Sequence, residues 1–461
     1  MREDDIIYSD RNTGRVLLKF AIPAIISLLM SELYNMVDTF YAGRYVGTAA
    51  VGALTVAFPI QRLLSSIGLL IAVGASTSAA RYLGEEEHEK LEATIGNAFL
   101  LTILFLTVVP LFIFLLKSSI IRHLGASDVT YKMADEYISI ILLGGIFQSL
   151  TFVMCYIMNS FGNTKVTLKA TTFGALSNVV VDYIFVYLLG IGIKGAAIAT
   201  VLSQIVAFLY ALYNYEKMRK AYNLRYKLRL SREIARPIIT VGFSTFIVEI
   251  SDAVVAALLN NLLSRHGGDR AIIMVGAITK VSMFLFITVI GISYAMQPIV
   301  AYNYGSNDYK KLKEAAHKAI NAVIYASTAL WALMMIFASN ILGSFIRNQG
   351  ILIETVRAFR IVISVFPVVG VYYVSIYYYQ AINEPRKSFI LSIYRQLLLF
   401  IPISILLISK LGIDGAWISY PITDIISGIT GYIYIKKAEK NINEEIDYEE
   451  YLDKYGETES I

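Results

Sequence analysis

Nine charged residues, Glu32, Asp38, Arg62, Asp182, Glu249, Asp252, Lys280, Arg395 and Asp424, fall inside stretches of the chain that are otherwise apolar. If those stretches cross a bilayer, each charge costs roughly 2.5–3.5 kcal/mol near the membrane centre, so it must face a cavity or a partner. Arg62, Lys280 and Arg395 have long stems that reach toward the interface or pair with a neighbouring carboxylate. The acids separate by spacing. Tyr34 and Asp38 stand four apart, as do Asn178 and Asp182, while Glu249 and Asp252 stand three apart, and in a helix each of these pairs shares one face. Each therefore sets a carboxylate beside a second oxygen-bearing group. A hard monovalent cation accepts such oxygens, and the same carboxylate can take a proton instead. Alone, Asn178 reads as hydrogen-bonding glue between helices; beside Asp182 it reads as part of a cation or proton site.

The elements that hold these groups follow from composition. Hydrophobic residues make up 56 % of the 461 and charged ones 16 %, against about 25 % charged in soluble proteins, and the mean hydropathy is +0.61. The expectation is an all-α integral membrane protein. About twelve apolar stretches are long enough to span a bilayer, each needing roughly 20 residues; they include 16–41, 167–189, 237–263, 357–381 and 414–435. The first is too long for the core of a signal peptide, so it is expected to stay as a membrane helix.

The chain also repeats itself. Val51-Gly-Ala-Leu-Thr55 returns as Val275-Gly-Ala-Ile-Thr279, and Gly192-Ile-Lys-Gly-Ala-Ala-Ile198 as Gly412-Ile-Asp-Gly-Ala-Trp-Ile418; Leu83-Gly84 and Phe161-Gly162 are echoed by Tyr304-Gly305 and Ile382-Asn383. A repeat of roughly half the chain in an apolar sequence is a transporter signature, and six spans per repeat return the chain to its starting side, so the halves share one orientation. The expected organisation is two pseudo-symmetric six-helix bundles, 1–216 and 237–436, joined by a connector at 217–236 and followed by a charged tail at 437–461, a solvated cytoplasmic helix or a frayed end. Seven Lys/Arg lie between Lys217 and Arg232, whereas the loops at 264–270 and 409–413 hold few. Positive-inside bias then places the connector and both termini in the cytoplasm. The net charge of +5 is explained by this topology rather than by a nucleic-acid partner.

Several familiar motifs carry no chemistry here. Gly190-Ile-Gly-Ile-Lys-Gly195 fits GxGxxG, but it joins two apolar helices instead of following a strand, and its return at Gly412 marks it as a repeated turn. The sequence has no Walker A string, no HExxH and no GxSxG, so neither ATP coupling nor hydrolytic chemistry is supported and no cofactor is expected. Cys155 is expected to be a small buried hydrophobe. Among 32 tyrosines, those near span ends read as interfacial anchors, but Tyr294 with Met296 and Gln297 in the eighth span is a candidate lining for a cavity that takes flat, cationic molecules. Pro59, Pro298 and Pro367 lie within apolar spans and are candidate bending points.

The strings Tyr34-Asn-Met-Val-Asp38-Thr-Phe-Tyr-Ala-Gly43, Asn178-Val-Val-Val-Asp182 and Asn159-Ser-Phe-Gly162-Asn-Thr-Lys165 resemble the multidrug and toxic compound extrusion (MATE) family, in its prokaryotic branches, over Lys19 to Lys436. The resemblance implies a V-shaped twelve-helix antiporter in a prokaryotic inner membrane. It would expel organic cations or other amphipathic drugs in exchange for H⁺ or Na⁺ by alternating access, as a monomer among membrane lipids. It further implies that Asp38, Asn178, Asp182 and Thr200, with Tyr34 nearby, form the ion site, and that Glu249 or Asp252 corresponds to an acid used by another branch as a second site. Tyr183 departs from the family pattern, which usually has proline there to bend the helix after the aspartate. The alternatives are a lipid or lipid-linked oligosaccharide flippase of the same superfamily and, more distantly, a membrane enzyme acting on lipids. More buried acids than bases argues against the flippase, whose cavity is cationic.

Overall fold

A computed structural model describes Tyr8, residues 12–346 and residues 348–455; the last part of the expected tail, 456–461, lies outside them. Among the described residues every regular element is a helix. They are α1 (Thr13–Tyr41, continued by a π turn over Ala42–Val46), α2 (Thr48–Gly84), α3 (His88–His123), α4 (Asp128–Ser160), α5 (Thr164–Asp182, continued by a π turn over Tyr183–Leu188) and α6 (Ile193–Ala221). After the connector come α7 (Arg232–Gly268), α8 (Arg270–Gly305), α9 (Tyr309–Ile336), the short α10 (Ala338–Gly343), α11 (Gln349–Val362), α12 (Phe366–Ala381), α13 (Pro385–Ile393), a π turn over Tyr394–Phe400, α14 (Ile401–Leu411) and α15 (Ile413–Tyr455). Local chemistry sets several starts. Ser127 and Thr130 cap one another at the head of α4, and the side chains of Asp308 and Asn348 accept backbone N–H groups at the heads of α9 and α11.

Among the described residues ten helices are long and apolar enough to cross a membrane, or eleven when the bent pair α11–α12 counts as one span. Two expected spans differ in physical detail. The stretch 357–381 is not one straight helix: α11 and α12 meet at a 49° bend, with Pro367 in the first turn of α12, where its missing N–H is harmless. Pro59 and Pro298, by contrast, lie inside continuous helices. The stretch 414–435 is helical as the start of α15, but Asp414, Gly415, Pro421, Asp424, Gly428 and Gly431 dilute its apolar content. Of the two forms expected for the tail, α15 takes the helical one. It runs on to Tyr455 and buries Ile435, Ala438 and Ile442, a helical stripe.

The backbone shows the duplication more sharply than the side chains do. Gly47 and Gly268, Glu86 and Asn307, Gly162 and Asn383, and Gly192 and Gly412 all adopt positive φ, and each pair is separated by the repeat distance. By contacts the chain divides into two compact units, Ile22–Ala253 and Met1–Ala21 with Val254–Ile461, the divisions falling within α1 and α7. In the first unit α2 and α7 touch backbone to backbone: a Cβ at Gly74 would strike the Ile238 carbonyl, and one at Gly242 would strike that of Leu70. Small residues at such crossings substitute close packing for the hydrophobic drive that lipid does not supply.

Candidate ion site

Within the Ile22–Ala253 unit, α1, α4, α5 and α6 bring Asp38, Tyr137, Asn178, Asp182 and Thr200 together, all buried. Asp38 is the centre. Its Oδ1 accepts from Asn178 Nδ2 at 3.2 Å, and its Oδ2 accepts from Thr200 Oγ1 at 3.0 Å and from Tyr137 Oη at 3.2 Å. Tyr137 is itself oriented by Gln61, whose Nε2 donates to the phenol oxygen at 3.1 Å. Asp182 adjoins Asp38 and Asn178, yet among the described residues no donor stands in full hydrogen-bonding geometry to either of its buried carboxylate oxygens; Asn178 Oδ1 and Tyr34 Oη are likewise without a partner in that geometry. Among the described residues the groups that act most strongly on Asp38 and Asp182 are each other, Asn178, Thr200 and Tyr137, none of them basic. Buried acceptors without donors are costly. The cluster is thus a set of oxygens whose chemistry suits a small cation or a proton.

Spacing brought out Asp38, Asn178 and Asp182, and the resemblance added Thr200; Tyr137 was missed, because it lies on a fourth helix and its sequence neighbours mark nothing unusual. The two π turns sit immediately beyond the two aspartates: Ala42–Val46 follows Asp38 by one turn and Tyr183–Leu188 begins directly after Asp182. A π turn loosens the helix ladder and recurs at functional sites. Where proline is usual, Tyr183 opens one instead. Tyr45 packs on Tyr187 at 4.8 Å and Tyr183 on Tyr187 at 5.1 Å, so the two π turns are joined by their rings.

Tyr34, one turn before Asp38, also lines a cavity of about 80 Å³ with Met30, Gln148, Thr171, Ser203 and Gln204. The other predicted residues fall elsewhere. Glu249 pairs with Arg62 at 2.8 Å, with Asp252 and Glu32 also within electrostatic reach of that arginine, so a fixed cation already faces this acidic pair. Met296 and Gln297 are buried; Gln297 Nε2 donates to Gln380 at 2.8 Å, and Tyr294 is half-buried. In the same unit Arg395 holds Asp424 through two nitrogens, at 3.1 and 2.8 Å, with its guanidinium 5.3 Å from the Phe286 ring. Lys280 is exposed, and Cys155 is buried and free.

Carboxylates sunk among the apolar helices of a duplicated chain mark a multi-pass membrane transporter. The family described as MatE matches residues 23–184 and 240–406, and the chain belongs to that family. Similar proteins include an FAD transporter of Shewanella oneidensis, 25 % identical over 91 % of this chain and 93 % of its own. The multidrug export protein MepA of Staphylococcus aureus is 21 % identical over 94 % and 96 %. A crystal structure of a MATE in complex with MaL6 matches with a TM-score of 0.91 at 23 % identity, covering 96 % of this chain and 100 % of that one. An outward-facing multidrug resistance MATE family transporter of the MOP superfamily matches with a TM-score of 0.90. These likenesses establish the fold.

Proposed function

We propose that the chain is a secondary antiporter that exports organic cations or other amphipathic drugs in exchange for H⁺ or Na⁺, with the coupling ion taken up at Asp38 and Asp182. The observation that carries this reading is Asp182, a buried carboxylate to which, among the described residues, no donor is well aimed, set beside a second carboxylate. Two like charges about 4 Å apart at an effective dielectric near 20 repel by about 4 kcal/mol. A proton or a sodium ion removes that repulsion, and every residue around it, Asn178, Thr200 and Tyr34 included, offers oxygen, the donor a hard cation prefers. Loading the site draws α1 and α5 together; emptying it leaves two charges that push them apart.

Tyr34 links this step to substrate. It shares a helix face with Asp38 and forms part of the wall of the neighbouring cavity, so a shift of α1 reshapes that wall. At about 80 Å³ the cavity is far below the roughly 300–1,000 Å³ of drug-sized sites, and in this conformation it takes no such molecule. Ion and drug then need share no ligand; they need only favour opposite conformations.

The test is efflux of a fluorescent cation from vesicles containing the purified chain, with a pH gradient or a Na⁺ gradient imposed separately. Asp38→Asn and Asp182→Asn are each expected to abolish gradient-dependent transport. Undiminished coupled transport in both variants would sink the reading. A second cargo has its own support in the similarity to an FAD transporter: loading the same vesicles with FAD, an anionic dinucleotide, beside the cationic dye decides which one the gradient moves.

A further inference from the structure

The connector between α6 and α7 is not a slack linker. Its backbone is fastened along one edge to the head of α3: Arg225 N–H donates to Glu92 at 2.8 Å, Asn97 donates to the Arg229 carbonyl at 3.1 Å and accepts from Ser231 N–H at 2.8 Å, and the Lys227 carbonyl presses on Gly96, where any side chain would collide. Lys227 is consumed by an ion pair with Glu92 at 3.3 Å, and Arg219 by Glu216 at 2.9 Å. The remaining five bases of the stretch, Lys217, Lys220, Arg225, Arg229 and Arg232, are exposed and make no ion pair among the described residues. Between them stand Tyr226, Leu228 and Leu230, which are 49 %, 59 % and 53 % exposed although they lie outside the membrane-spanning helices.

We propose that this strap is a docking surface for anionic phospholipid, its arginines on the headgroup phosphates and Tyr226, Leu228 and Leu230 in the interface beneath them. Three observations point to a lipid surface rather than a soluble partner. The strap begins and ends on spanning helices, α6 and α7, so it is held at the level of the headgroups. Its unpaired charge is all of one sign, complementary to anionic lipid, and basic segments beside spanning helices are drawn to such lipids. Its apolar side chains interleave with the bases in the pattern of an interfacial anchor, and their backbone is already ordered, so docking costs little further conformational entropy. The inference holds whatever the chain transports.

The full-length protein supplies its own reporter position, because Cys155 is buried and a thiol-reactive fluorophore would label Leu228→Cys selectively. Labelled protein is reconstituted into phosphatidylcholine vesicles containing either spin-labelled phosphatidylglycerol or spin-labelled phosphatidylcholine at equal mole fraction. Stronger quenching by the phosphatidylglycerol quencher is expected, and Arg225→Gln, Arg229→Gln and Arg232→Gln together should cut the preference, by roughly fivefold in lipid enrichment for each arginine removed, leaving only what Lys217 and Lys220 hold. The corresponding lysine variants should keep it. Equal quenching by the two lipids in the parent, or a preference undiminished in the glutamine variant, would overturn the proposal. Should the glutamine variant fail to fold, salt decides the matter on the parent alone: a preference that is indifferent to ionic strength refutes an electrostatic dock.

Discussion

Asp38 and Asp182 are neighbours with opposite surroundings, and the difference sets what each can do. Asp38 accepts three side-chain hydrogen bonds and is held in place; Asp182 has no well-aimed donor among the described residues and is the freer ligand. Tyr137→Phe removes one donor from Asp38 and deprives Gln61 of its acceptor. Since a hydrogen bond to a charged group contributes about 1.5–3 kcal/mol, gradient-driven efflux is expected to fall by tenfold or more in vesicles while the protein still purifies as a folded species. The Arg395–Asp424 pair makes the contrasting case of a charge that is already matched, its side chains 5 % and 2 % exposed. Arg395→Met alone strands the aspartate and should cost about 3–5 kcal/mol, whereas Arg395→Met with Asp424→Leu should recover most of it, read as thermal unfolding in detergent. Legibility at this scale followed helix geometry. Asn178 and Asp182 announced each other because one turn separates them, but Tyr137 belongs to another helix and Arg395 and Asp424 sit on different helices, where spacing carries no information.

Helices were legible from apolar length alone, and the turns between them from their glycines. What periodicity could not show is where a helix departs from the α form. The three π turns fall next to Asp38, next to Asp182 and across Arg395, so in each case a charged residue inside an apolar span coincides with a loosened ladder. The 49° joint between α11 and α12 was legible in part, for Pro367, one of the three prolines read as bending points, stands in the first turn beyond it, whereas Pro59 and Pro298 lie inside continuous helices. The α2–α7 crossing was hidden, because a glycine's partner is a backbone atom on another helix. Gly242→Val would drive a side chain into the Leu70 carbonyl and force the helices apart; a sharp loss of folded yield is expected in a fluorescence size-exclusion assay, with Gly242→Ala intermediate.

At the scale of the whole chain, the terminal helix is expected from the sequence as a solvated one, and its buried stripe is the departure. A mixed-charge segment looked solvated, yet its stripe of Ile435, Ala438 and Ile442 is buried, and His317–Glu439 at 3.0 Å and Lys313–Asn443 at 2.7 Å tie it to α9. Charge density hid the stripe, because only a few apolar residues carry it. Ile442→Ala should lower stability by about 2 kcal/mol, the low end for truncating a buried isoleucine, seen as a drop in Tm. The duplication, by contrast, was plain from the sequence, and the left-handed corners at matched positions give it a use. A site that tolerates φ of +83° at Gly162 and +57° at Asn383 asks only for a residue content in that region, which both glycine and asparagine are. The two corners are therefore interchangeable parts: trading them, Gly162→Asn with Asn383→Gly, should leave yield and Tm near the parent's, while a valine fitted to either would stall assembly at that bend.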